Sequence, residues 1–215
     1  MREESNFVDG KWIVITGYAA LLTLIGGIVF VSFYFDQPVK RFTSDPADIS
    51  DTHPFNGFLS NVGVVLWFST CAISFFAYYF GRLTGKNNDL LKLLLYSGML
   101  TLLLGVDDLF MLHEYILPET LHIPQLIVYA IYGLIVSAYF LLFYKQILVT
   151  KYNMLLLALF LLGSSVACDV LLPSRGLQYI LEDGFKVLGI FTWLIYFIQT
   201  SVFILSRVSK PDNIN

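Results

Sequence analysis

Six stretches of roughly 20 apolar residues recur along the chain, each long enough to cross a bilayer core as a helix. They cover residues 12–34, 57–79, 90–112, 124–144, 152–172 and 183–205. A chain that must bury six such segments has few alternatives to a helical bundle in lipid, because only there can every backbone amide be satisfied within its own helix. Composition agrees: 57% of the residues are hydrophobic and only 13% charged, against about 45–50% and about 25% in soluble domains. An ordinary soluble globule and a disordered chain are both excluded. Two cysteines, Cys71 and Cys168, make no disulfide scaffold, and without a basic run no nucleic-acid partner is expected. The expected fold class is all-α: a polytopic integral membrane protein forming one six-helix domain over 1–215, with the bilayer as its medium. Arg2, Glu3, Glu4 and Asp9 precede the first stretch and no small-residue cleavage site follows it, so it reads as a retained span. The long connection 35–56 is expected to carry a short surface helix begun at Ser44-Asp45-Pro46, with serine as cap and proline in the first turn.

The few charges are sorted by side. Nine of the thirteen basic residues fall with the two termini and the even-numbered loops: Arg2, Lys11, Arg82, Lys86, Lys92, Lys145, Lys151, Arg207 and Lys210. The bias of basic residues toward the cytoplasm then predicts both termini inside, in a cytoplasmic or plasma membrane. Eleven of the sixteen acids and all three histidines, His53, His113 and His122, fall on the opposite, outer side. Loop acids such as Asp36, Asp45, Asp48, Asp51 and Glu119 need no further explanation. Acids inside spans do, since an ionisable group at that depth costs about 2.5–3.5 kcal/mol or more and is usually turned inward and partnered.

Asp108 shares a helical stripe with Ser97 and Thr101 and is the first expected interior acid, with Asp107 second. Glu114 and His113 follow at the end of the same segment. His113 falls on an apolar line with Leu102, Val106 and Phe110, and suits an interface histidine as well as a ligand. Glu182 and Lys186 are four apart, in the favourable order, on a stripe continuing through Gly189, Trp193, Tyr196 and Thr200. Gly189 would let a neighbouring helix approach closely. Lys186 could neutralise Asp108 or Asp169; otherwise Glu182 is a first-turn helix cap and Lys186 a snorkelling lysine. The Asp183 stripe, with Val187, Ile190, Leu194 and Phe197, reads as lipid-facing. Asp169 shares a stripe with Ser165 and Ala158 and is expected against a neighbouring helix, and Ser60 and Asn61 open the second span at a matching depth. Four helices thus bring polar groups to one level near the outer face.

Glu182-Asp183-x-x-Lys186 resembles the Glu-Glu-x-x-Lys/Arg motif of membrane-embedded CAAX-type proteases, but their downstream His- or Glu-bearing motifs do not follow here. His-Glu-x-x-His, Gly-x-Ser-x-Gly and phosphate-loop patterns are absent from the sequence. Three functions compete. The first is a metal-dependent hydrolase acting on a small molecule or lipid, with Asp108, Glu182 and Lys186 catalytic and Asp107, Asp169 and His113 as divalent-metal ligands. Ser60, Asn61 and Glu114 would support that site. The second is a proton- or cation-coupled transporter of a small solute, against which stands an inner half without a matching polar path. The third is a non-catalytic subunit or assembly factor docking onto a membrane-protein partner.

Overall fold

The computed structural model describes residues 11–44, 46–53, 55–83, 89–173 and 176–208. Expectations resting on Arg2, Glu3, Glu4, Asp9, Asp45, Lys86 and Lys210 lie outside these residues. Among the described residues the chain is all-helical, and six helices are long and apolar enough to cross a membrane. The contacts divide the chain into two units, Met1–Asn56 and Gly57–Asn215.

The first unit holds α1 (Lys11–Tyr34) and the short helices α2 (Lys40–Thr43) and α3 (Pro46–Ser50). From Ile15 onward α1 is apolar on nearly every face and exposed along most of its length, which suits a helix surrounded by lipid. Beyond it the chain turns on polar contacts. Ser32 Oγ donates to the Gln37 carbonyl, Arg41 Nη1 donates to Gln37 Oε1 at 2.6 Å, and Lys40 pairs with Asp48 at 3.2 Å. Pro46 opens α3, as its fixed φ allows.

The second unit holds α4 (Phe58–Leu83), α5 (Asp89–Phe110), a π-helix (Leu112–Thr120), α6 (Gln125–Leu148), α7 (Tyr152–Leu171) and α8 (Gly176–Val208). Helix α8 packs against both α4 and α7, and α5 against α4. Leu91, Leu93 and Leu94 of α5 and Trp193, Tyr196 and Phe197 of α8 are sealed in the core. Gly189 brings α7 up to α8: a Cβ there would lie 2.8 Å from Leu162 Cγ and 3.0 Å from the Leu162 amide nitrogen. This is the close approach expected of that glycine.

Three expectations need correction. Ile190, Leu194 and Phe197 are buried, so the Asp183 stripe does not face lipid. With neighbours on two sides, α8 buries a face wider than one stripe. Helix α8 also starts at Gly176, so Glu182 lies more than a turn inside it and is not an N-terminal cap. Finally, the third span, expected over 90–112, ends as an α-helix at Phe110. Met111 takes a left-handed conformation with φ 49°, and the π-helix follows with Pro118 inside it. The Asp107 carboxylate reaches across this break to accept the His113 backbone N–H at 3.0 Å.

Candidate functional site

At the end of the second unit where its acids gather, the helices surround a half-open cavity of about 410 Å³. The C-terminal halves of α5 and α7, the N-terminal halves of α6 and α8, and the π-helix form its walls. Trp67 of α4 and Trp193 of α8 meet edge-on in its lining, with ring centroids 6.0 Å apart. Trp193 is fixed by its indole N–H, which donates to Thr101 Oγ1 at 3.1 Å. Five carboxylates line the cavity, Asp107, Asp108, Glu114, Asp169 and Glu182, against the cations Lys186 and His113.

Each acid has a protein partner, and Asp107 and Glu114 share His113. Asp108 is 7% exposed and pairs through Oδ1 with Lys186 Nζ at 2.5 Å. Its other oxygen, Oδ2, is buried without a hydrogen-bond partner. Asp107, 5% exposed, faces the His113 ring at Nδ1 and accepts from Tyr132 Oη at 2.7 Å. Glu114 approaches the opposite ring nitrogen of His113, Nε2, at 3.2 Å. Asp169 Oδ2 accepts from Tyr129 Oη at 2.7 Å and from Gln125 Nε2 at 3.2 Å. Glu182 accepts from Gln178 Nε2 at 2.5 Å. The i,i+4 geometry of Glu182 and Lys186 therefore does not become their main pairing: Lys186 reaches across to α5, and Glu182 bonds back along its own helix.

Burial pushes the His113 imidazole down, but its hydrogen bonds to Asp107 and Glu114 outweigh that and raise its pKa to about 9. It is therefore a cation at neutral pH, clamped between two carboxylates. The same contact holds Glu114 below the ordinary carboxylate range, against the opposing effect of burial.

The structure brings together Asp107, Asp108, His113, Glu114, Asp169, Glu182 and Lys186 around one space. Ser60 and Asn61 do not join them: Ser60 is half-buried, Asn61 is exposed, and neither lines the cavity. The metal-ligand set is not assembled either. Among the described residues no three of His, Cys, Asp or Glu are grouped to hold one metal ion. Cys71 and Cys168 are free thiols.

Gln125, Tyr129 and Tyr132 were not anticipated. They form a polar line down one face of the first half of α6, at the four- and three-residue spacing that keeps side chains together on a helix. A search for hydroxyls and amides as well as charges would have found it.

The model of one family, described as Domain of unknown function (DUF8692), matches residues 12–200. No curated protein and no solved structure matches the chain.

Proposed function

The chain belongs to the DUF8692 family, and we propose that it is a multi-pass membrane protein that binds a small organic cation in this cavity as the loading step of a proton- or cation-coupled transporter. The observation that carries the reading is the charge balance: five carboxylates against two cations around about 410 Å³ of space. Aromatic walls add to it, since ring faces attract cations, more strongly where water is excluded. Tyr129 and Tyr132 supply two such rings, and Trp67 and Trp193 two more.

Polarity toward the other end of the unit supports passage. The sequence expectation is an inner half without a matching polar path; buried and half-buried hydroxyls nonetheless recur there. Ser97 meets Tyr139 at 2.6 Å, and Thr150 meets Tyr196 at 2.9 Å. Thr150 also lines a second hollow of about 440 Å³. The bias of basic residues toward the cytoplasm supports a topology with both termini inside and the acidic cavity on the far side.

Metal-dependent hydrolysis is less favoured, because, of its ligand candidates, Asp107 and His113 are bonded to each other and Asp169 is held by Tyr129 and Gln125. A purely structural network in a non-catalytic subunit would close around itself, whereas this one surrounds a space.

Uptake of tetramethylammonium into proteoliposomes tests the proposal. Asp108 is a poor probe, since neutralising it strands Lys186. Asp169 and Glu182 have uncharged partners, so Asp169→Asn and Glu182→Gln remove charge at little structural cost. Wild type is expected to take up the cation, and the double variant to lose at least about ten-fold in apparent affinity. Uptake by the double variant equal to wild type, or no uptake by either, contradicts the proposal.

A further inference from the structure

Helices α6 and α7 both line the cavity, yet each is held by a different neighbour. Helix α6 packs on the π-helix and α5, and α7 packs on α8; near the acidic end α6 and α7 are joined by the bonds of Gln125 and Tyr129 to Asp169, but no extensive packing between the two is found among the described residues. Glycines stand on both flanks of this gap. Gly133 of α6 and Gly163 of α7 line the cavity and are exposed, and a Cβ at either would meet nothing within 4 Å. Close packing explains two other glycines of the unit: a Cβ at Gly105 would lie 3.0 Å from Trp67 Cβ, and one at Gly189 2.8 Å from Leu162 Cγ. It does not explain these two. Gly133 lies eight residues after Gln125, and Gly163 eight residues before Leu171. At about 1.5 Å per residue both sit about 12 Å from the acidic ends of their helices, well within a hydrocarbon layer about 30 Å thick. The gap therefore opens toward lipid. The wall beside it is apolar, built from Val136, Leu159, Leu162 and Val166, while the carboxylates lie nearer the end of the bundle.

We infer that the gap between α6 and α7 is a lateral portal and that the ligand is an amphipathic cation. Its amine or ammonium head sits among the carboxylates and aromatic rings, and its alkyl chain runs out between Gly133 and Gly163 into the bilayer. This deepens the cation-binding reading above and rests on it. The two glycines set the width of the portal: a side chain at either position fills the path of the alkyl chain without touching the charged end.

Two probes with one head group separate the claims: tetramethylammonium and dodecyltrimethylammonium, offered to the full chain in lipid nanodiscs. Binding is read from Trp67 and Trp193 fluorescence in a Trp12→Phe background. The Gly133→Leu/Gly163→Leu variant is expected to slow dodecyltrimethylammonium association at least about ten-fold, and to leave tetramethylammonium within about two-fold of wild type. If both probes associate as with wild type, or both slow alike, the portal is overturned while the cation reading stands. If neither probe binds the wild-type glycine pair, the cation reading falls and takes the portal with it. A second measurement covers a leucine variant that does not fold. In a Cys71→Ala/Cys168→Ala background, Gly163→Cys should react with a lipid-soluble alkyl maleimide and be shielded by dodecyltrimethylammonium. Equal or faster reaction with a charged, membrane-impermeant thiol reagent overturns the portal.

Discussion

Lys186 and Asp108 are the residues on which the cavity depends most. A lysine ammonium and a carboxylate meet at 2.5 Å in a place where neither has much water. Removing one partner strands the other charge, which in buried pairs costs about 3–5 kcal/mol, while replacing both is far milder. Lys186→Met is therefore expected to lower unfolding stability in detergent by that order, and Lys186→Met/Asp108→Asn to recover most of it. Equal losses in the single and double variants would contradict the pairing. His113 gives a pH signature. Its pKa is raised from the ordinary 6.5 to about 9 in the folded chain, so the folded state holds its proton more tightly than the unfolded one. The stability this contributes is fully present below about pH 6.5 and is lost as pH rises through about 9. The melting-temperature gap between wild type and His113→Gln should be wide near pH 6 and narrow toward pH 10, and a gap independent of pH would contradict it. The inward placement of Asp108 was legible from its stripe with Ser97 and Thr101. The partners of Asp107 were not, because His113 reaches it only through a backbone break that no residue type announces.

At the scale of elements, hydropathy located all six long helices but misplaced their polar ends. Helix α8 begins at Gly176, not at Asp183. Gln178, Glu182 and Asp183 lower local hydropathy, yet Gln178 is buried and Glu182 lines the cavity, so the helix continues through them. The π-helix was illegible for a different reason. It depends on Met111 holding φ 49° without being glycine, a conformation that local sequence disfavours and the surrounding contacts impose. Contact between α7 and α8 rests on Gly189. Gly189→Ala would push a methyl to within 3.0 Å of the Leu162 backbone and is expected to destabilise by about 1–3 kcal/mol. Gly133→Ala has open space and should be neutral or stabilise by up to about 1 kcal/mol through helix propensity. Thermal melts of the two variants check this; equal effects would show that α7 and α8 do not rely on the close approach.

For the whole molecule, the sorting of charge along the chain and the position of the cavity belong together. Acids gather at one end of the second unit, and the proposal is that the space they surround accepts a positive solute. The third, fifth and sixth spans were legible as contributors because they carry charges. The fourth was not, because α6 brings no charge there, its polar groups being the uncharged Gln125, Tyr129 and Tyr132. The basic residues predict both termini inside, and on that prediction a reporter active only in the cytoplasm should signal when fused to the C-terminus. Signal only from an outer-side reporter would reverse the topology. The central claim is that the cavity selects for positive charge. Isothermal titration of the chain in nanodiscs with tetramethylammonium, beside a neutral solute and an anion of similar size, tests it most directly. A cation within about 6 Å of a carboxylate gains about 2–3 kcal/mol at an effective dielectric near 20. Saturable binding of the cation alone is therefore expected, weakened at least about ten-fold by Asp169→Asn/Glu182→Gln. Binding of the neutral solute or the anion as tightly as the cation would contradict it.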